Sequence, residues 1–301
     1  MTARTVSMGA PFGWLMKALD VGRKQPKALF GGFALLLLVA AVPSVLQLGT
    51  QTLFPNATTA LMVVYGLSLL LSLLLMPPLS GSAFRLLHAC ESGQPAAASD
   101  IFAGLRTPGF ALRMILTMLL VVVGYLLVFG LLFALLPGKD FFIELFTRAI
   151  ATPPGGQPDM TGMPDFPPSF LLWFLGAMAA VLVLSNAYML AFARAALNER
   201  GPVPACVDGV LGTLKNLLPF TLIALAAVVV GFVVVLIVSV LLVLVVGLLA
   251  AMSPALAIAV AVPIYFGLML VMYVIAFGYY YHAWRDIYGE PVVAPEDALV
   301  A

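Results

Sequence analysis

Six predominantly apolar runs, each as long as or longer than the roughly 20 helical residues that cross a hydrocarbon core, constrain this chain before any motif does. They lie near Ala28–Leu48, Thr59–Phe84, Phe110–Leu136, Phe170–Leu197, Phe220–Ala250 and Ala255–His282. A backbone crossing lipid has to satisfy its own hydrogen bonds, so runs of this kind are read as transmembrane helices. Charged residues are 9% of the chain and apolar ones 63%, whereas soluble domains carry about 25% charge; a water-soluble fold would lack the charge to clothe itself. The fifth run is long for one crossing, which predicts tilt or an end lying in the interface. Basic residues ahead of the first run, with Ala40-Ala41 inside it, have the outline of a secretory signal. However, about 27 residues precede the run and a polytopic body follows, so the run is expected to remain as the first span.

A phrase recurs three times along this framework. A short apolar stripe at helical spacing comes first: Phe12, Leu15, Met16, Leu19; then Ala98, Ile101, Phe102, Leu105; then Val207, Val210, Leu211, Leu214. Basic residues follow (Arg23 and Lys24, Arg106, Lys215), then a proline (Pro26, Pro108, Pro219), then an apolar run, an outer turn and a second run. Proline suits a first helical turn, where its missing N–H is not needed. Each unit therefore predicts a short interfacial helix that breaks at proline and turns into the membrane. The later copies also align at Glu91 and Glu199, Asp100 and Asp208, and Gly104 and Gly212. The expected fold is all-α: one polytopic membrane domain of six transmembrane helices, arranged as three parallel hairpin repeats near 10–95, 96–204 and 205–291. Residues 137–169 form a periplasmic loop and 292–301 a cytoplasmic tail. Phe141, Phe142, Leu145, Phe146 and Ile150 in that loop predict a further short amphipathic helix, before the turn-forming run Pro153-Pro154-Gly155-Gly156.

Charge gives the orientation. Of the fourteen Lys and Arg, only Lys139 and Arg148 fall on one side of the predicted spans. The other twelve (Arg4, Lys17, Arg23, Lys24, Lys27, Arg85, Arg106, Arg113, Arg194, Arg200, Lys215 and Arg285) fall at the opposite ends. Translocating basic loops is unfavourable, so both termini are expected in the cytoplasm. A net charge of +1 gives no footprint for nucleic acid. Cys90 and Cys206 then lie on the reducing side, where a structural disulfide is not expected, and no metal or cofactor site is indicated.

No HExxH, Walker loop, GxSxG or CxxC occurs. His88 and His282 fall where even-numbered spans reach the inner interface. Either one beside a carboxylate such as Glu91 or Asp286 would suit an intramembrane enzyme; as a lone interfacial histidine it is a polar anchor. Ser185-Asn186 with Tyr188 is the densest polar group within a span, read either as helix–helix hydrogen bonding or as the wall of a substrate path. Arg85, Arg194 and Arg285 close comparable span ends. A ring of them would suit phosphate headgroups, and the alternative is plain topological anchoring.

Gly13-Trp14-Leu15 with Arg23-Lys24-Gln25-Pro26, the Glu91–Pro95 turn and the Tyr279-Tyr280-Tyr281 end before Arg285-Asp286 resemble a bacterial family of uncharacterised six-span inner-membrane proteins. That family is related to the membrane domain beside some glycerophosphodiester phosphodiesterases. The resemblance implies a lipid-linked or envelope role and brings no phosphodiesterase activity or catalytic residues. The functional expectation is a multi-pass protein of the bacterial inner membrane with a non-enzymatic role. It would bind lipid, anionic phospholipid included, or serve a membrane protein partner. Arg85, Glu91, Arg194, Glu199, His282, Arg285, Asp286 and Asn186 are the candidate contacts. A transporter or lipid flippase with a path between the hairpins is the alternative, and an inner-rim enzyme the second.

Overall fold

The computed structural model describes residues 3–54, 57–152, 161–162 and 165–289. The expected tail, Glu290, Pro291 and the Pro153–Pro158 run lie outside the described residues. Among those described, the elements are helical: α1 (Ala10–Leu19), α2 (Pro26–Leu53), α3 (Thr58–Glu91), a 3-10 helix (Ala98–Arg106), α4 (Pro108–Leu135), α5 (Lys139–Ala151), α6 (Phe170–Leu197), α7 (Pro202–Lys215), α8 (Leu217–Met252) and α9 (Pro254–Tyr288). The six long ones (α2, α3, α4, α6, α8 and α9) are apolar and long enough to span a membrane, as an integral membrane protein requires.

Proline starts α2 and α4, as its preset φ favours. The third expected break falls earlier: α7 ends at Lys215, Asn216 is the hinge, and Pro219 sits in the first turn of α8. The middle short helix is also different from its expected form. Residues 98–106 make a 3-10 helix, opened by the Asp100 carboxylate accepting from the Ala97 N–H at 2.8 Å. A tight docking accompanies that geometry. The Gly104 N–H donates to Ser82 Oγ at 2.9 Å, and the Ser82 hydroxyl donates on to the Pro78 carbonyl at 3.0 Å. A Cβ at Gly104 would meet Pro78 O at 2.7 Å, so only glycine fits there.

In space α2 packs on α3, α4 on α6 and α8 on α9. The short elements lie across one end of these pairs: the 3-10 helix on α2 and α3, α7 on α4 and α6, and α1 on α8 and α9. Residues near both described termini share this end, where the Arg4 N–H donates to Ile287 O at 3.0 Å. Asn216, fully buried, holds the N-terminal segment in place: Oδ1 accepts from Val6 N–H at 2.8 Å and Nδ2 donates to Arg4 O at 2.9 Å. The core also lies here, hereafter the basic end. Trp14, Leu29, Phe33, Leu79, Phe84, Leu190, Phe220 and Ile287 are among its buried members. Phe277 of α9 joins Phe33 and Phe84 with ring centroids 5.3 and 5.0 Å apart.

The stripes of α1 and α7 face outward. Phe12, Met16 and Leu19, and Val207, Val210, Leu211 and Leu214, are exposed, while Trp14 and Ala18, and Ala205, Gly209 and Gly212, pack inward. In the 3-10 helix the stripe divides: Ile101 is buried and Leu105 exposed. At the far end α5 forms as expected, but none of its residues is buried.

Candidate functional site

The candidate residues at the basic end fall into three groups. Each is built where the last turns of an even span meet a neighbouring element.

The first group joins α3, α4 and the turn after α6. Arg85 Nε donates to Ala196 O at 3.0 Å, and Arg85 Nη2 lies 3.1 Å from Glu199 Oε1. Arg113 Nη2 is 4.0 Å from the same oxygen, and Arg113 Nη1 donates to Glu199 O at 3.4 Å. Both guanidiniums lie by the Phe110 ring, 4.0 and 5.5 Å from its centroid, in cation–π range. One carboxylate thus serves two arginines. Sequence reading counted Arg113 only as a topological charge; its spacing from Arg85 and Glu199 carries no periodic signal, and only the packing of α4 against α6 and α7 brings the three together.

The second group is closed. Arg194 is 2% exposed, donating to Asp208 Oδ2 from Nε at 3.0 Å and from Nη2 at 2.8 Å. Its Nη1 donates to Asn198 Oδ1 at 2.9 Å, and its guanidinium stacks 4.6 Å above the Tyr288 ring centroid. Arg200 adds a bond to Asp208 at 3.2 Å, and Trp284 Nε1 donates to Asn198 at 2.8 Å. The expected three-arginine ring therefore lacks an open member at Arg194. A guanidinium this deep in the protein requires a paired carboxylate, and Asp208 already fills that role. Asp208 is in turn placed by α7, whose Gly209 and Gly212 let the helix lie directly against α6 and Tyr288. The Tyr288 hydroxyl donates to the Asp208 carbonyl.

The third group lies where α9 meets α3 and α1. The Tyr281 hydroxyl stands 3.1 Å from His88 Nδ1, and Arg285, one turn on along α9, is exposed. On the other face Trp14 Nε1 donates to Asp286 Oδ2 at 2.7 Å. His282 is 3% exposed, and neither ring nitrogen has a hydrogen-bond partner among the described residues. His282 and Asp286 are thus not paired as an acid–base couple, because the carboxylate is held by Trp14. Glu91, at the end of α3, contributes its carbonyl, which accepts from Lys24 Nζ at 2.8 Å.

Asn186 sits away from these groups, within α6. Its Nδ2 donates to Leu182 O at 2.6 Å, and its Oδ1 accepts from the Tyr280 hydroxyl at 3.1 Å. Ser185 meets Tyr125 at 3.3 Å. This polar set ties α6 to α9 and α4, the use expected of amides and hydroxyls between lipid-embedded helices. A cavity of about 60 Å3 lies between α2 and α3, lined by Val39, Val42, Pro43, Leu71, Ser72, Leu75 and Met76. It is apolar and holds none of the candidate residues.

Cys206, on α7, has its thiol pushed up to about 11 by burial. Among the described residues no cluster of His, Cys, Asp and Glu could hold a metal ion. No protein-family model, curated protein or solved structure matches this chain.

Proposed function

We propose that this protein is a non-enzymatic component of the bacterial inner membrane that binds anionic phospholipid at its basic end, with that end in the cytoplasm. The observation that carries the reading is a juxtaposition. The exposed apolar stripes of α1 and α7 stand beside the exposed or half-exposed basic residues Arg85, Arg200, Arg285 and Lys24. An apolar stripe flush with cations fits a helix lying at the headgroup level, where each basic residue near an anionic surface contributes about 1 kcal/mol. Twelve of fourteen basic residues at this end support the cytoplasmic orientation. The three helix pairs, each crossed by one short element, support descent from three parallel hairpin repeats.

Native mass spectrometry of the gently extracted protein tests the reading. Selective retention of phosphatidylglycerol over phosphatidylcholine, weakened by Arg285→Ala, is the expected result. Arg194 is unsuited to such a variant, since removing it would leave Asp208 with only the half-exposed Arg200 as a partner. A protein that emerges with no selective lipid would sink the proposal and turn attention to a protein partner.

A further inference from the structure

Glu199 is the one non-glycine residue with positive φ among the described residues, at 55°. It follows Asn198, whose N–H donates to Arg194 O at 3.1 Å, at the point where a helix commonly ends on a left-handed glycine. Glycine would take that conformation without steric cost, and glutamate does not. The chain nevertheless keeps a carboxylate here, and its side chain is 70% exposed. That carboxylate is the anion facing two guanidiniums, so the cluster of Arg85, Arg113 and Glu199 carries one surplus positive charge.

The arginines have donors to spare. Arg113 is 19% exposed in its side chain, its Nε is buried without a partner, and its best bond is the 3.4 Å contact to Glu199 O. Both guanidiniums are backed by the Phe110 ring, which fixes them without using their N–H groups. A lipid phosphodiester carries its negative charge on two terminal oxygens, as a carboxylate does, and takes guanidinium donors bidentately, so it can replace Glu199 between the two arginines. Leu112 and Leu116, on either side of Arg113 along α4, are exposed apolar surface.

Resting on the lipid-binding reading above, we infer that Arg85 and Arg113 form a phosphate site for one anionic phospholipid, and that Glu199 is a resident stand-in which the lipid phosphate displaces. The headgroup phosphate lies between the two guanidiniums, the acyl chains run along Leu112 and Leu116, and the exposed Glu199 side chain swings into solvent. Glu199 thereby sets a threshold: zwitterionic lipids do not outcompete it and anionic ones do.

The test is native mass spectrometry of the full chain in nanodiscs of mixed phosphatidylglycerol and phosphatidylcholine. Glu199→Gln should raise phosphatidylglycerol retention by about fivefold, the scale of one exposed ion pair. Arg85→Gln and Arg113→Gln should each lower it by about tenfold or more, as loss of a charged hydrogen-bond donor does. Asp20→Asn makes the same charge change as Glu199→Gln at a distant exposed pair and should leave retention unchanged. With Glu199→Gln shown to unfold at the same point as the parent, its gain compared with Asp20→Asn decides the matter even where an arginine variant fails to fold. Equal gains in both acid variants would reduce the effect to bulk charge and overturn the site. Selective lipid retention that none of the cluster variants moves would overturn the site and leave the broader reading standing; no selective retention in the unaltered protein would remove both. Displacement of the lipid by millimolar inorganic phosphate or glycerol phosphate would assign the cluster to a soluble anion instead.

Discussion

The two ends of this molecule are built from similarly apolar helices, yet only one of them is packed. At the basic end, residues 186–187 and 190–196 of α6 are buried without a break, and most of 277–288 of α9 is buried with them. Along the rest of α8, from Val228 and Phe232 in its middle to Val243 and Leu248 toward its far end, residues are exposed in the protein alone. The difference follows from the solvent. Lipid tails are as apolar as leucine, so hydrophobicity does not drive helices together within a bilayer. Close approach and polar bonds do, and both are concentrated at one end. Ala187, Ala191, Gly209 and Gly212 permit contact between α6 and α7, while Arg194, Asp208, Asn198 and Asn216 supply the bonds. The far half of α8 is mostly Val and Leu, and its glycine, Gly247, has no neighbour within 4 Å. The far end is held instead by a local aromatic cluster and by Pro137, whose carbonyl accepts from Ser169 Oγ at 2.6 Å and Trp173 Nε1 at 2.8 Å.

The largest effect should come from the buried ion pair. Arg194→Ala is expected to cost about 3–5 kcal/mol, because Asp208 loses two charged bonds and keeps only the half-exposed Arg200, while Asn198 Oδ1 loses a donor. Arg194→Met with Asp208→Leu should recover most of that loss; unfolding equilibria in mixed micelles give both numbers. If the single variant were as stable as the parent, the packed end would not depend on its polar bonds. Core truncation should come next. Phe84→Ala, at a fully buried site, is expected to cost about 3–5 kcal/mol. Phe232→Ala, 68% exposed, should change stability by less than about 0.5 kcal/mol. Comparable losses at both sites would mean that the exposed middle of α8 is covered by another protein surface.

Glycines sharpen the contrast at smaller scale. Gly209→Ala drives a methyl into the Ala187 carbonyl and should cost about 1–3 kcal/mol. Gly231→Ala meets nothing and should be neutral or stabilising, by at most about 1 kcal/mol. The smallest effect concerns chemistry rather than stability. Cys90 is 1% exposed, and Cys206 titrates near 11, so little reactive thiolate exists at neutral pH. Iodoacetamide at pH 7.5 should modify neither until denaturant is added, and labelling of Cys206 should accelerate as pH rises toward its pKa. Fast labelling at pH 7.5 would show that the packed end opens.

Much of the framework was legible in the sequence because membrane crossing is written in length and polarity. The six spans, the short helix at 139–151 and the gathering of basic residues at one set of span ends needed no tertiary information. Facing was not legible. Helical spacing found the stripes of Phe12, Met16 and Leu19 and of Val207, Val210 and Leu211, but periodicity identifies an apolar face without saying what covers it. The protein instead packs the small or tryptophan-bearing faces, where backbones approach most closely. Arg194 looked equivalent to Arg85 and Arg285 from its place at a span end. Its partner lies 14 residues later, on another helix. Asn216 carried no signal, since its role is to hold residues 210 and 212 positions earlier in the chain.

That last contact has a consequence for the order of assembly. Trp14 and Ala18 are made long before Tyr279, Gly278 and Asp286, on which they dock. At ribosomal speeds of about 5–20 residues per second, roughly 15–55 s separate the two events. Throughout that interval α1 has its tryptophan face uncovered, and its outward stripe of Phe12, Met16 and Leu19 is what can hold it at the leaflet. α1 is thus made long before it can be seated, and its docking ties together two stretches of the chain that lie far apart in sequence.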